Sequence, residues 1–218
     1  MLKAIGFDLD NTLYDQRQYE YFAFSSVAEE VSKYYCVKKA RYFSLLKHLF
    51  NKNIHECTFD KAIQLCIGKI PRDWESFLKK KLLPVYRSAK PKLVPFDWAK
   101  KFIKEAKNRG IKLAIITNGN VEIQKYKIDA LGLRKFFDKI YISDELSPQA
   151  RKPDTTLFKN FLRDFNLKGK DVIYIGDNIQ TDSSCQELGI EFIHYDGTEE
   201  FIRRIWEIIS VSKSLNHI

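Results

Sequence analysis

The stretch Leu2–Tyr14 reads LKAIGFDLDNTLY and joins a short apolar run to two acids. Residues Leu2–Phe7 predict a buried strand, because a short apolar run bounded by polar residues is typical of a parallel sheet. Asp8 and Asp10 follow directly, and alternate side chains of extended backbone lie on one side of the chain. The stretch therefore predicts two neighbouring carboxylates at the carboxyl end of a strand, where open α/β sheets bind ligands.

Further apolar runs predict four more strands, at Ile111–Ile116, Lys139–Ile142, Val172–Ile175 and Ile190–His194. Helical periodicity marks the segments around them, at Trp98–Asn108, Val121–Leu131, Thr155–Phe165, Gln180–Leu188 and Glu199–Ser210. Strands that alternate with helices imply βαβ units, so we expect an α/β fold with a doubly wound parallel sheet.

Residues 16–90 have a different pattern, without a clean strand. Helical periodicity is found there around Tyr19–Tyr35, Ala40–Asn51, Thr58–Ile67 and Arg72–Arg87. Pro91 and Pro95 mark the return to the alternating pattern. We therefore expect a core made of residues 1–15 and 91–218, with a helical module of residues 16–90 inserted into it.

Composition excludes several classes of protein. The 218 residues are 44% hydrophobic and 30% charged, which is typical of a globular protein and not of a disordered chain. The apolar runs are far shorter than the ~20 residues of a membrane-spanning helix, and the amino terminus lacks a signal-peptide pattern. The four cysteines show no zinc-site spacing and suggest a reducing compartment. These features predict a cytoplasmic protein without a membrane partner.

The net charge is +9, from 37 Lys and Arg against 28 Asp and Glu. This excess favours acidic partners, which include phosphorylated metabolites, nucleic acid and anionic surfaces, and selects none of them. No basic stripe with interleaved aromatic residues is found, so we expect no nucleic-acid partner. The sequence does not indicate an oligomeric state.

Polar residues also follow the other predicted strands. Thr117 and Asn118 end the second strand with a hydroxyl and an amide, a suitable seat for phosphoryl oxygens. Lys152 lies just before a helix, where its ammonium could neutralise a developing phosphoryl charge. Asp177 ends the fourth strand and Asp182 comes five residues later. Single acids after strands are often helix caps, but this combination indicates a site.

The acids are suited to magnesium. Mg²⁺ takes oxygen ligands, keeps several waters and binds one or two carboxylates together with substrate oxygens. Asp8, Asp177 and a backbone carbonyl such as that of Asp10 would supply such a set.

Four segments resemble the motifs of the haloacid dehalogenase (HAD) superfamily, in the order that is typical of it. They are Asp8-Leu9-Asp10-Asn11-Thr12-Leu13 for motif I, Thr117-Asn118 for motif II, Lys152-Pro153 for motif III, and Gly176-Asp177 with Asp182 for motif IV. The resemblance implies a Rossmann-like sheet of strand order 5-4-1-2-3. It also implies that residues 16–90 are similar to the helical C1-type cap of this superfamily.

The resemblance implies roles for the matching residues. Asp8 would be the nucleophile that forms an aspartyl-phosphate, and Asp10 would act as general acid and then as general base. Thr117 and Asn118 would bind the transferring phosphoryl group, and Lys152 would hold that group and Asp8 together electrostatically.

The resemblance also implies a magnesium site at Asp8, Asp10 and Asp177. Thr12 would support the motif I loop. Asp182 would contribute from beside the metal ligands or through its contact with Lys152.

One residue separates branches of the superfamily. The dehalogenase members lack an acid at the position of Asp10, whereas phosphatases and phosphomutases have it. Two departures from the usual motifs are found. Asn11 replaces the glycine that is most common after the second acid, a variant associated with some phosphatases of the superfamily, including nucleotidase-like ones. Ser183-Ser184-Cys185 replaces a small Gly-Ala pair, which concerns the local helix geometry and not the chemistry.

The resemblance therefore implies a Mg²⁺-dependent phosphatase that hydrolyses a small phosphorylated metabolite. A phosphomutase and a non-catalytic basic binding protein on the same core are the alternatives. A phosphonate hydrolase would need a Schiff-base lysine in the helical module, where Lys33, Lys47 and Lys52 are candidates. Candidate substrate contacts follow motif I and are Tyr14, Asp15, Arg17, Tyr19 and Tyr21.

Overall fold

The computed structural model describes residues 2–54 and 57–211, and the chain forms two compact units. The sheet unit comprises Met1–Gln16 and Leu93–Ile218, and the helical unit comprises Arg17–Lys92. Residues 1 and 212–218 of the predicted core, and residues 55–56 of the predicted helical module, lie outside the described residues.

The sheet unit is built on five parallel strands in the order β3-β2-β1-β4-β5. The strands are β1 (Ala4–Phe7), β2 (Lys112–Thr117), β3 (Lys139–Ile142), β4 (Val172–Gly176) and β5 (Glu191–His194). This order confirms the predicted α/β fold and the strand order implied by the resemblance, because β1 lies at the centre and the chain winds outward from it in both directions.

The central strand is apolar because it is covered on both faces and paired on both edges. Ala4 pairs with Lys112 of β2 and Val172 of β4, and the register continues to Phe7. Gly6 has a packing role, since a Cβ atom there would lie 2.8 Å from the ring of Tyr174. The small residue lets the Tyr174 side chain cross the face of β1.

Helices account for most of the remaining described chain. In chain order they are α1 (Arg17–Tyr34), α2 (Lys39–Asn51), α3 (Thr58–Ile67), α4 (Trp74–Phe77), α5 (Leu83–Arg87), α6 (Asp97–Asn108), α7 (Val121–Ala130), α8 (Ser143–Leu146), α9 (Thr156–Phe165), α10 (Ile179–Asp182) and α11 (Glu199–Val211).

The helical unit has an apolar core of its own, which contains Phe24, Val31, Tyr42, Leu46 and Trp74 among other buried side chains. Its last helical stretch is α4, a π-helical turn at Leu78–Leu82 and then α5. The π turn ends two residues before Pro84, which lacks an N–H and would clash with the preceding turn of a regular α-helix.

The predicted helix at 180–188 is wrong in type over its second half. The α-helical part ends with α10 at Asp182, and Ser183–Leu188 continues as a 3-10 helix. Two hydroxyls explain the change, because Ser183 donates to the Ile179 carbonyl at 2.6 Å and Ser184 donates to the Thr181 carbonyl at 2.9 Å. Such bonds compete with the α-helical pattern. The turn ends at Gly189, whose φ of 74° suits glycine.

The two ends of the helical insertion leave the sheet unit side by side. The Phe96 N–H donates to the Leu13 carbonyl at 2.9 Å, and Tyr14 forms an isolated bridge with Pro95. Within the described part of the chain, no helix is both long and apolar enough to cross a bilayer. A cytoplasmic location stays a prediction.

Candidate active site

Lys152 lies buried among three oxygen partners. Its Nζ donates to Asp8 Oδ1 at 2.7 Å, to Asp182 Oδ1 at 2.6 Å and to the Tyr174 hydroxyl at 2.7 Å. An ammonium group has three protons, so these three bonds use all of them. The predicted electrostatic partner of Asp8 is thus held against it in a fixed direction.

The sheet brings these groups together. The Asp8 N–H donates to the Ile175 carbonyl at 2.8 Å and keeps Asp8 in line with the end of β4. Gly176 makes room for Asp182, since a Cβ atom at this position would lie 2.1 Å from Asp182 Oδ2. The Tyr174 hydroxyl donates in turn to the Ile116 carbonyl at 2.9 Å. Because its proton is used there, the lone pairs of the Tyr174 oxygen are left to accept from Lys152.

The side chain of Asn118 contacts the backbone of Lys152. Asn118 Nδ2 donates to the Lys152 carbonyl at 2.9 Å, and the Lys152 N–H donates to Asn118 Oδ1 at 2.8 Å. The Gly119 N–H donates to Ser143 Oγ at 3.0 Å. The amide that was expected to face a phosphoryl group therefore positions the lysine, and the predicted binding of that group by Asn118 would depend on its backbone.

The carboxylate of Asp10 has three donors. The Tyr14 hydroxyl and Lys127 Nζ reach Oδ1 at 2.6 and 2.7 Å, and Gln124 Nε2 reaches Oδ2 at 3.0 Å. The same Gln124 nitrogen donates to Thr117 Oγ1 at 2.7 Å. The predicted acid/base residue and the predicted phosphoryl-binding hydroxyl thus share one buried partner.

The loop of motif I explains the asparagine after the second acid. Asn11 has a φ of 55°, in the left-handed region that glycine adopts most easily and asparagine tolerates. Its Oδ1 accepts from the Gln16 N–H at 3.1 Å, which fixes the turn. The buried Thr12 hydroxyl approaches Asp177 Oδ1 at 3.4 Å, so Thr12 joins the motif I loop to the end of β4.

Three carboxylates converge at this edge of the sheet. One oxygen from each of Asp8, Asp177 and Asp182 lies within 4.8 Å of the others. Asp182 is engaged through both oxygens, with Lys152 and with the Asn178 N–H at 3.2 Å. Asp8 and Asp177 are therefore the two carboxylates that fit Mg²⁺, a hard cation with oxygen ligands. The Asp10 carboxylate faces α7, so a ligand from Asp10 would be its backbone carbonyl.

Burial dominates the electrostatics of this cluster. It raises the pKa of Asp8 to about 8, with Asp182 and Asp177 adding to the rise and Lys152 opposing it. Burial and the nearby Asp182 likewise raise the pKa of Asp177 to about 6. The three carboxyl groups of this cluster lie around a single ammonium group, so their negative charge exceeds the positive charge beside them. A divalent cation beside Asp8 and Asp177 would supply the missing positive charge.

The pKa of Asp10 is shifted in the opposite direction. Burial there would raise the pKa of the carboxyl, but the Lys127 ammonium and the other donors outweigh burial and lower the pKa. Asp10 is therefore held as a carboxylate, beside the acids whose pKa is raised.

Sequence reasoning missed Gln124, Lys127 and Tyr174 and assigned Tyr14 to the substrate. Gln124 and Lys127 are three residues apart on α7, and the structure buries both side chains. Their spacing, which places both on one face of a helix, was the signal available in the sequence. Tyr174 lies within the apolar run of β4, where the sequence pattern indicates only a buried strand residue. Tyr14 is buried, and its hydroxyl is bound to Asp10.

The sheet, its strand order and the acids at its carboxyl edge define a HAD-type α/β core. The chain belongs to the haloacid dehalogenase-like hydrolase family, whose sequence profile matches residues 5–195. The predicted superfamily is confirmed.

Curated relatives within this family differ in activity. A glyceraldehyde 3-phosphate phosphatase of Methanocaldococcus jannaschii is 29% identical over 198 residues, which cover 87% of this chain and 83% of the relative. An (S)-2-haloacid dehalogenase of a Pseudomonas species is 24% identical over 220 residues, covering 96% and 91%. Among solved structures, a Bacillus subtilis HAD hydrolase bound to magnesium has a TM-score of 0.70 at 18% identity, covering 95% and 98%.

Proposed function

We propose that this protein is a Mg²⁺-dependent phosphatase that hydrolyses a small phosphorylated metabolite through a phosphorylated Asp8. The observation that carries this proposal is the pair of acids after β1. Asp8 contacts the Lys152 ammonium at 2.7 Å, and Asp10 is held separately by donors from α7 and Tyr14. Two acids in different environments suit two different roles.

In the first step, an Asp8 carboxylate oxygen attacks the phosphorus atom and the bond to the leaving oxygen breaks. The leaving oxygen takes a proton from Asp10, so an alcohol departs and an acyl-phosphate remains on Asp8. The negative charge of the bound phosphoryl group favours the protonated form of Asp10, because a nearby like charge disfavours the carboxylate. The Lys152 ammonium balances the negative charge that builds up between Asp8 and the phosphoryl oxygens.

In the second step, a water molecule attacks the phosphorus atom and gives a proton to the Asp10 carboxylate. The bond between phosphorus and the Asp8 oxygen breaks, which releases inorganic phosphate and restores the Asp8 carboxylate. The low pKa of Asp10 in the substrate-free protein suits this role as a base. Mg²⁺ bound by Asp8 and Asp177 would neutralise phosphoryl charge in both steps.

The relatives and the residues favour the phosphatase over its alternatives. The relative from Methanocaldococcus jannaschii is named as a phosphatase, which supports a phosphoric monoester hydrolase. Asp10 weighs against the dehalogenase chemistry named for the Pseudomonas relative. Lys33 donates to Glu30 at 2.8 Å on the exposed surface, and this bond raises the pKa of the lysine, whereas a Schiff-base lysine needs a lowered one.

We propose that the helical unit, residues 17–92, acts as a cap that selects the substrate. Such lids exclude water and complete a site on closure. Two predicted substrate contacts are engaged within this unit, since the Tyr19 hydroxyl donates to the Tyr86 carbonyl at 3.1 Å and the Tyr21 hydroxyl donates to Asn51 at 2.7 Å. Asp15 and Arg17 stay candidates.

We expect the purified protein to release inorganic phosphate from small phosphomonoesters only when Mg²⁺ is present. The test is a panel of sugar, nucleotide and glycolytic phosphates, with p-nitrophenyl phosphate as a general substrate. Chelation with EDTA should remove activity and added Mg²⁺ should restore it. A 2-haloacid included in the panel should release no halide. Hexose phosphates that are isomerised without release of phosphate would instead indicate the phosphomutase.

Magnesium binding should strengthen with pH. Asp8 has a raised pKa of about 8 and is largely protonated at pH 6, so a cation that needs its carboxylate must displace a proton. The apparent Kd for Mg²⁺ should fall by up to about tenfold per pH unit between pH 6 and pH 8. Calorimetric titration of the metal-free protein measures this, and Asp8→Asn should flatten the dependence. A Kd that is independent of pH would contradict Asp8 as a ligand.

A further inference from the structure

Gln124 lies between Asp10 and Thr117 and forms hydrogen bonds with both. It lies on α7 and is buried, and its amide nitrogen lies 3.0 Å from Asp10 Oδ2 and 2.7 Å from Thr117 Oγ1. The carboxylate of Asp10 only accepts hydrogen bonds, so the group that faces it must be the Nε2 amide and not the carbonyl. Both Nε2 protons are therefore used, one for each partner.

These bonds set the direction of the Thr117 hydroxyl. Because Thr117 Oγ1 accepts from Gln124, its own proton must point to another acceptor. The backbone oxygen of Asn118 is 3.5 Å away, which is long for a hydroxyl donor. A phosphoryl oxygen at this edge would be a much better acceptor, so the bond from Gln124 leaves Thr117 oriented as a donor to an anion.

The local backbone is shaped for this arrangement. Gly119 has a φ of 136°, which favours glycine, and a Cβ atom there would lie 3.3 Å from the Gln124 side-chain amide carbon. On the far side of Asp10, Lys127 and Tyr14 hold the other carboxylate oxygen. The bonds to Asp10 and Thr117 fix the direction of the Gln124 amide, and both oxygens of the Asp10 carboxylate accept hydrogen bonds.

We propose that Gln124 is a positioning residue that keeps the Asp10 carboxylate in register with the phosphoryl-binding hydroxyl of Thr117. This inference rests on the phosphatase function proposed above. In this role Gln124 acts through Asp10 and Thr117, its two hydrogen-bond partners. Its effect depends on the direction of two hydrogen bonds, whereas a residue that only fills space depends on its volume alone.

The test compares two substitutions of similar size. Gln124→Met keeps the volume and removes both bonds, and it should lower kcat/KM by about tenfold, the effect of lost hydrogen-bond positioning. Gln124→Glu keeps the shape but reverses the bond, because a carboxylate accepts the Thr117 proton and repels Asp10. It should lower kcat/KM by about a hundredfold or more. Gln186→Glu adds the same charge at an exposed position and should leave activity unchanged.

Binding of inorganic phosphate to the Mg²⁺-loaded protein, measured by calorimetry, gives a second readout. Gln124→Glu should weaken it by about tenfold, and Gln124→Met should weaken it less. In a Thr117→Val background, Gln124→Met should affect phosphate binding much less, because the bond to Thr117 is already gone and only the bond to Asp10 remains to be lost. Equal losses in both Gln124 variants, or an undiminished effect in that background, would overturn the proposal. If the wild type binds phosphate but hydrolyses no ester, the proposed function fails, and the binding data still test Gln124.

Discussion

Asp8→Asn is expected to lower phosphatase turnover by about 10⁵-fold or more, the loss typical of a removed nucleophile. An amide oxygen cannot form the acyl-phosphate, and the neighbouring Asp182 is not free to replace it. Asp182 is bound through both oxygens, to Lys152 and to the Asn178 N–H. The measurement is phosphate release under saturating Mg²⁺, together with trapping of labelled phosphoryl on the wild-type protein and its absence from the variant.

The variant should nevertheless be folded. The side-chain oxygen of the introduced asparagine can still accept the proton that Lys152 donates to Asp8 Oδ1, and a neutral amide removes the burial cost that raises the pKa of Asp8. The metal-free variant should therefore melt no lower than the metal-free wild type. Asp129→Asn is the matched control, since Asp129 forms an exposed ion pair with Arg134 and should leave turnover unchanged. Turnover that survives Asp8→Asn would rule out the aspartyl-phosphate mechanism.

The sequence predicted the sheet well because buried parallel strands have a strong local signature. The runs that became β1 and β4 are apolar and end in acids, and their structure follows that pattern. The helix after Asp177 was harder to predict. Its change to a 3-10 helix depends on the Ser183 and Ser184 hydroxyls bonding to nearby carbonyls, a choice that periodicity does not reveal.

The acids of the site were predictable, whereas their partners were not. Asp8, Asp10 and Asp177 follow strands of one sheet, so topology alone places them at one edge. Gln124 and Lys127 reach Asp10 across more than 110 residues of sequence, through the packing of α7 on the sheet unit. Tyr174 contacts Lys152 only because Gly6 lets its ring cross β1. Long-range contacts of this kind depend on tertiary packing, which a single sequence does not display.

Lys152→Met should damage both activity and stability. The substitution leaves Asp8 and Asp182 as neighbouring buried carboxylates without their cation. Removing one partner of a buried ion pair costs about 3–5 kcal/mol of unfolding free energy. Activity should fall by about 10³-fold or more, since one electrostatic group at a transition state is worth about that much. Lys170→Met, at an exposed position, is the matched control.

The stability loss should depend on pH with a defined sign. Without the ammonium, the pKa of Asp8, which burial already raises to about 8, rises further in the folded protein, so the fold is favoured where Asp8 is protonated and weakened as pH rises. Denaturant unfolding of metal-free Lys152→Met should therefore show a larger deficit at pH 8 than at pH 6. Adding Asp182→Asn removes one of the unpaired charges, and the double variant should recover stability without recovering activity. Recovery of activity in the double variant would mean that Lys152 serves only to neutralise Asp182, and a deficit that is equal at both pH values would contradict the electrostatic origin of the loss.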